Sequence, residues 1–521
     1  MNAARPLPPL HHPRPRTERA KKAVGSEKRV RGDIGGKGGM AVALALLIGV
    51  AGSWNAKAAP ERVNLILLES DDHHPDLLGA IGGEVETPNI DRLAARGALF
   101  RNNVCQGMSC APSRNSLLTA KYPHSTGVYH NRDGNMAEGV WTFPRALQRA
   151  GYHTALIGKN HFKPHAATRA NERTAEGHEE QLAELGFDFI HAINGKVTAA
   201  KGRGGPGDDH YRDYLRGHGL LEALETDYRE NRTTRFTAHA SVLPEEHHHD
   251  TYIGTQVVGF VERYREERPF FLWVDFVAPH PPADAPEPYA SMYDPAEMRL
   301  PFDFDRSTTR GPLKQATDDE LRAFRAGYYG MITHLDAQVG RIVEALETSG
   351  RLENTIVVFA GDQGSIVGDH GKWGKGEFYR GSVSSPLVIA GPGVKPDIVV
   401  DHPVELVDLA PTFLEIAGAA EEDLRECHGY SLQPLLSGKG EYERQYAYAE
   451  LHDEKMAMDE RYKYVDRDEE PMLFEIQTDP RELENLAGTL PEVEERFKKA
   501  IADWLESTPP VLEPNPKERR R

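Results

Sequence analysis

The chain has 521 residues, enough for a large core and for two domains, and its 39% hydrophobic and 27% charged residues are those of a soluble globular protein. A net charge of −18 argues against a nucleic-acid binder. Residues 1–58 carry 11 Lys/Arg against 3 Asp/Glu, so the rest of the chain is near −26, and any sulfated or phosphorylated substrate must be drawn in by a local basic pocket.

Residues 1–39 are rich in Pro, Arg and Lys without apolar periodicity and read as a disordered basic leader. Met40 to Trp54 is a short apolar run followed by Ala56-Lys57-Ala58, a signal-peptide pattern over 40–58 that is short for a membrane span. The expected product is exported, with no stable membrane span after cleavage; an uncleaved anchor is the alternative, and both Met1 and Met40 fit as the start. No Cys follows the run, which argues against a lipoprotein anchor. The three cysteines, Cys105, Cys110 and Cys427, allow at most one disulfide and exclude a disulfide scaffold.

Val63 to Leu68 is a continuous apolar run, the mark of a buried parallel strand, and it ends in Glu69-Ser70-Asp71-Asp72-His73-His74. Adjacent aspartates at a strand's C-terminal end stand where α/β sheets place their sites, and they repel unless a cation or solvent separates them. Thr87-Pro88 opens a helix. Ser109-Cys110-Ala111-Pro112-Ser113-Arg114 predicts Cys110 at a helix N-terminus, where free N–H groups favour an anion, with the Arg114 guanidinium beside it. A buried Cys near an ordinary cap is the other reading of these residues. Phe143 to Ala150 predicts a helix, and His153 to Gly158 a strand ending in Lys159-Asn160-His161.

Residues 165–250 are polar, Gly/Arg/His-rich and poorly periodic, and read as loops and an insertion. Within them Glu245 to Asp250, with its run His247-His248-His249, reads as a capped, exposed helix start rather than a metal site, because consecutive residues rarely converge on one ion. A helix over Thr251 to Arg265 and a buried strand over Pro269 to Phe276 follow, the latter leading to His280. After a Pro/Asp-rich loop at 283–317 come a long amphipathic helix over Asp318 to Ser349, a strand over Thr355 to Ala360 ending in Asp362-Gln363, and a glycine-rich loop carrying Lys375. Pro386 to Ala390 predicts a strand and Leu406 to Gly418 a helix. From about residue 440, short strands at Tyr446–Glu450, Tyr462–Val465 and Met472–Ile476 precede a last helix over Pro491–Glu506, the pattern of a small α+β unit over 440–508, with a Pro/Arg-rich tail at 509–521.

Four strand ends thus carry chemistry, which scattered polar residues would not give. Cys110-Ala111-Pro112-Ser113-Arg114 with Leu118-Thr119-Ala120-Lys121 resembles the signature of type I sulfatases of the alkaline phosphatase superfamily. Gly158-Lys159-Asn160-His161, Gly374-Lys375-Gly376 and the closing segment Phe474 to Ala487 resemble that family's further motifs, in family order, over about residues 62–506. The strand runs and the resemblance together imply an α/β fold: a large mixed, mostly parallel sheet flanked by helices in a catalytic domain over 59–439, and an antiparallel sheet in the C-terminal subdomain.

The resemblance also implies a chemistry. Cys110 would be oxidised before folding, by a formylglycine-generating maturation enzyme, to Cα-formylglycine, whose hydrate attacks sulfur. Asp71, Asp72, Asp362, Gln363 and the modified Cys110 would hold one Ca²⁺; the oxygen donors by themselves favour Ca²⁺ or Mg²⁺ over zinc. Arg114, Lys121, Lys159 and Lys375 would offset sulfuryl charge, Asp362 would take the proton of the attacking hydroxyl, His280 and Lys375 would assist the leaving group, and His161 would deprotonate the remaining hydroxyl. The substrate would be a sulfate ester, of a small molecule or a sulfated glycan, with no nucleic-acid partner. Ala120, Lys121, Asn160 and Gln363 depart from the usual residues of the family, and Gln363 is the longest departure among the ligands. His73, His74 and Arg132 are equally suited to substrate contact or to packing. A phosphonate monoester or phosphodiester hydrolase of the same superfamily, and a non-catalytic glycan-binding relative, are the alternative readings.

Overall fold

The computed structural model describes residues 62–510, apart from 133–135, 137–138, 163–174, 203–208, 232–235, 308, 310–311 and 469. The basic leader, the signal-peptide pattern and all but the start of the tail lie outside the described residues. Among the described residues no helix is long and apolar enough to cross a membrane.

The strands in chain order are β1 (Asn64–Ser70), β2 (Gly97–Val104), β3 (His153–Lys159), β4 (Phe189–Ile193), β5 (Phe270–Asp275), β6 (Thr355–Gly361), β7 (Ile366–Val367), β8 (Trp373–Gly374), β9 (Ser384–Ala390), β10 (Ile398–Val400), β11 (Val404–Glu405), β12 (Ala447–Leu451), β13 (Glu454–Met458), β14 (Tyr462–Asp466) and β15 (Met472–Glu475). The large sheet runs β10-β2-β9-β6-β1-β5-β3-β4, with β11 also on β2. Only β9 is antiparallel to its neighbours. The expected large, mostly parallel sheet is therefore present, and β6, β1, β5 and β3 lie side by side and parallel. Their C-terminal ends share one edge, so Asp362, Asp71, the loop to His280, and Lys159 come together by topology.

The sheet is buried on both faces, which explains its uninterrupted apolar runs. Ile66 and Leu68 of β1 pack with Leu272 and Val274 of β5 against the helices His249–Arg263 and Asp318–Thr348. The alternate residues Leu65, Leu67, Phe271 and Trp273 pack against the helices Cys110–Thr119, Phe143–Arg149 and Leu409–Ala417. Gly158 has φ +111, and a Cβ there would lie 2.0 Å from the Asp275 carbonyl oxygen, so only glycine lets β3 lie this close to β5 just before Lys159.

The smaller antiparallel sheet runs β12-β13-β14-β15. One face is covered by Phe497, Ile501 and Trp504 of the helix Pro491–Ser507. The other face, through Met456, Val465 and Phe474, packs on Val104, Cys105 and Met108, the residues leading into Cys110.

Several elements correct the sequence reading. Residues 165–250 hold more than loops: strand β4 extends the sheet, and helices cover Lys196–Lys201, His210–Gly217 and Leu221–Asn231. Strand β2, the short strands β10 and β11 that pair with it, and the hairpin strand β13 were not expected. The helix start at His249 is not exposed: His248, His249 and Asp250 are 2%, 3% and 0% exposed. All three cysteines are free, so Cys105 and Cys427 do not pair.

Candidate active site

Ser109 is extended at φ −158, and Cys110 is the first residue of a helix whose residues are all buried. The expected helix start is present, and one of its free N–H groups is satisfied by Asn131, whose Oδ1 accepts from Ala111 N at 2.8 Å. Five side chains converge on the sulfur, Asp72 Oδ1 being the farthest at 3.9 Å. Lys375 Nζ donates to Cys110 Sγ at 2.8 Å, Gln363 Nε2 at 3.6 Å and Lys159 Nζ at 3.8 Å, and the thiol donates to Asp71 Oδ1 at 3.2 Å. Lys159 also pairs with Asp71, and Lys375 with Asp72.

This is a poor setting for a thiolate. Burial, then the Asp71 charge, pushes the Cys110 thiol up to about 12 against the pull of Lys159 and Lys375. The anion expected at this helix start is not the sulfur. Burial opposes the charge on Lys375, yet Asp72, Cys110 and Asp71 carry it well above the usual lysine range. Burial likewise works against the Asp71 carboxylate, but Lys159, His280 and Lys375 hold it well below the usual range.

Arg114 stands behind this cluster rather than in it. The buried guanidinium donates from Nη1 to Glu69 Oε2 and Asp275 Oδ1, both at 2.6 Å, and from Nε to Asp362 Oδ2 at 2.9 Å. Only Nη2 has no protein partner. Glu69 and Asp275 are the site residues that sequence reasoning missed. The signal was available: a carboxylate inside a buried apolar strand run requires a cationic partner. Trp273 Nε1 braces both, at 3.0 and 2.9 Å.

Asp72 has φ 61, in the left-handed region that few non-glycine residues adopt, and is held there from both sides. Its N–H donates to Asp362 Oδ1 at 3.1 Å, and its carbonyl accepts from the Tyr328 hydroxyl. Tyr328 was not anticipated either.

Burial disfavours the charged form of both imidazoles. Burial holds His161 well below the usual range, with Lys159 adding to it, and Nδ1 of His161 is buried without a partner. Burial also lowers His280, although Asp72 and Asp71 oppose it. His280 Nδ1 donates to the Pro281 carbonyl at 2.7 Å, which leaves Nε2, 3.9 Å from Asp72 Oδ2, as the nitrogen that exchanges a proton.

Another expected residue is not brought to the sulfur. Lys121 lies past the far end of the Cys110 helix, where Nζ donates to the Glu426 carbonyl at 2.7 Å and pairs with its carboxylate at 3.1 Å. Eleven residues along, a helix has carried the chain too far to return. His73 is packing: its ring lies buried between Ser70 Oγ and the Leu77 carbonyl. His74 is buried 3.9 Å from Asp369, and Arg132 is exposed.

The donors fit a hard divalent cation. Asp71, Cys110 and Asp362 offer ligand atoms within 4.8 Å of one another. Five buried acidic side chains, Glu69, Asp71, Asp72, Asp275 and Asp362, stand against the three cations Arg114, Lys159 and Lys375. Asp362 registers that excess: burial, then Asp71 and Glu69, push it up to about 7 despite Arg114. Gln363 Oε1 is buried without a partner, and a half-turn of the amide offers that oxygen on the Asp72 side.

Residues 63–419 match the sulfatase family model, and residues 368–507 match the model for the C-terminal region of N-sulphoglucosamine sulphohydrolase. The chain is 30% identical over 466 residues to an arylsulfatase of Clostridium perfringens, covering 85% of this chain and 92% of that one. It is 29% identical over 431 residues to a choline-sulfatase of Rhizobium meliloti, covering 77% and 78%. Among solved structures, the phosphonate monoester hydrolase of Agrobacterium radiobacter has the same fold at a TM-score of 0.71 and 24% identity, covering 86% of this chain and 96% of that one. A 2-O GAG sulfatase aligns at a TM-score of 0.63 and 22% identity, covering 86% and 93%.

Proposed function

The chain belongs to the sulfatase family and is a sulfuric ester hydrolase, and from that premise we propose that it is an exported enzyme that cleaves sulfate esters, of a sulfated glycan in particular, with a nucleophile made from Cys110. The observation that carries this reading is the ring of Asp71, Gln363, Lys159 and Lys375 about a sulfur whose thiol burial pushes up to about 12. A cysteine that is neither a competent thiolate nor an apolar filler is best explained as the precursor of another group.

Conversion of Cys110 to Cα-formylglycine would place the geminal hydroxyls of an aldehyde hydrate where Sγ now lies, the nucleophile that the resemblance implies. Asp71, Asp72, Asp362 and Gln363 would hold Ca²⁺, which supplies charge to offset the carboxylates and to polarise a sulfate oxygen.

The remaining work falls to side chains. Lys375 and Lys159, both within 3.8 Å of Sγ, hold positive charge at the reacting centre. Arg114 is a positioning residue: it fixes Asp362 Oδ2 and leaves Asp362 Oδ1 turned toward Asp72. His280, oriented by Pro281, first takes up a proton from solvent on Nε2, which Asp72 and Asp71 favour, and then delivers it to the departing oxygen. His161 Nδ1, unpartnered and neutral, accepts a proton when sulfate is expelled.

The test is sulfate release by purified enzyme, with the modification verified, from a panel of aryl, choline, glycosaminoglycan and algal sulfates. Matched aryl phosphonate monoesters and phosphodiesters are run beside them. A larger kcat/KM on the sulfate of each aryl pair supports the proposal. A larger value on the phosphorus ester assigns the site to the alternative hydrolase, and no turnover of any ester refutes an enzymatic role.

A further inference from the structure

Three buried side chains on the opposite side of the His280 loop from the sulfur have the organisation of a second metal centre. His248 immediately precedes the helix His249–Arg263, Asp250 lies in its first turn, and His334 lies in the middle of the helix Asp318–Thr348. Their exposures are 2%, 0% and 0%. Nδ1 of His248, Oδ2 of Asp250 and Nδ1 of His334 each lack a hydrogen-bond partner. Ligand atoms of the three residues lie within 4.8 Å of one another, His248 Nδ1 is 3.7 Å from Asp250 Oδ2, and the two imidazole centroids are 5.0 Å apart. Buried polar atoms left unpaired cost free energy unless something joins them.

The other polar atom of each residue is already engaged. His334 Nε2 shares a hydrogen bond with Thr251 Oγ1 at 2.8 Å. Asp250 Oδ1 accepts from Val277 N at 2.9 Å and Ala278 N at 3.2 Å. The His248 ring also donates to the main-chain carbonyl of Asp284. One atom fixed by the protein and the other aimed at a common point is how ligating side chains are oriented by their surroundings. The adjacent imidazole of His249 turns away onto the Tyr211 ring, with centroids 4.0 Å apart, and takes no part. A neighbouring cation, Lys196, is paired with Asp284.

We propose that His248 Nδ1, Asp250 Oδ2 and His334 Nδ1 bind a divalent transition-metal ion of the zinc class, separate from the oxygen-donor site at Asp71. Two imidazoles and one carboxylate suit such an ion and not Ca²⁺. Burial and Lys196 hold His248 well below the usual range, and burial does the same for His334, so the neutral ligand form is in place without proton release. The ion joins two long helices to the Val277-Ala278 main chain, two residues before His280, and Ala278 in turn accepts from Asp71 N at 3.0 Å. The site is thus a structural tie beneath the loop that carries a proposed acid.

The experiment uses the untagged full chain, dialysed against Ca²⁺ buffer free of transition metals, with metal content read by mass spectrometry and Co²⁺ titrated by its visible absorption. The proposal expects one tightly held zinc-class ion or Co²⁺ per chain, retained in Asp71→Asn and Asp362→Asn and lost in His334→Gln. Thr251→Val, which keeps all three ligands, should weaken Co²⁺ binding about ten- to a hundredfold. If His334→Gln does not fold, the wild type, the two aspartate variants and Thr251→Val decide. No bound ion and no Co²⁺ absorption in the wild type overturns the proposal, as does a Co²⁺ signal that disappears in Asp71→Asn.

Discussion

Arg114 Nε donates to Asp362 Oδ2 at 2.9 Å, while Nη1 of the same guanidinium holds Glu69 and Asp275 at 2.6 Å each. One fully buried cation therefore ties the ends of β1, β5 and β6 together and fixes the carboxylate that faces Asp72. Removing it leaves three buried carboxylates unpaired. Arg114→Ala should lower stability by about 3–5 kcal/mol in urea unfolding, the cost of breaking a buried ion pair from one side. Arg114→Lys should keep part of the charge, lose the fork and reduce kcat.

Lys375 and Lys121 separate the two ends of the Cys110 helix. Lys375→Ala should reduce kcat/KM by about 10²–10³ with little change in melting temperature, since Nζ lies 2.8 Å from Sγ at the reacting centre. Lys121→Ala should leave kcat unchanged and cost under about 1 kcal/mol, because its ion-pair partner Glu426 is half exposed. Parallel kinetics and unfolding of the two variants check both.

Ala120 closes the Cys110 helix at φ 52, the left-handed conformation that glycine adopts without strain. Ala120→Gly should raise the urea midpoint by an amount equivalent to about 1 kcal/mol and leave kcat unaltered. A fall in stability would show that the Ala120 methyl contributes more packing than strain.

Burial lowers His73 from 6.5 to about 4. The unfolded chain therefore binds more protons than the folded one between these values, and stability rises with pH across that window and is lost as pH falls from 6.5. At about 1.4 kcal/mol per pH unit, this one ring contributes about 3 kcal/mol to the acid sensitivity. His73→Gln should be less stable at pH 7 and show a shallower decline toward pH 4 in urea titrations.

Much of the site was legible because buried parallel strands announce themselves as apolar runs and end in polar residues. Asp71, Lys159, His280 and Asp362 all follow such runs, and topology delivers them to one edge. Lys121 misled because a motif gives spacing along the chain and not the direction in which a helix carries its far end. Glu69 and Asp275 were overlooked although a carboxylate in a buried strand calls for a cation, because only the fold shows that this cation is Arg114. Residues 165–250 hid β4 for a related reason: Phe189–Ile193 pairs only with β3, and three of its five residues are half-buried, so its apolar pattern is weak. His248 and Asp250 read as an exposed helix start because nothing nearby in sequence announces His334, which lies on another helix.

The central claim is that Cys110 is a precursor, and the mass of the tryptic fragment Asn102–Arg114 from catalytically active protein tests it most directly. The account predicts a fragment that has lost H₂S and gained one oxygen, carries an aldehyde, and is missing from the inactive Cys110→Ala variant. Active protein in which that fragment bears only unmodified cysteine would contradict it.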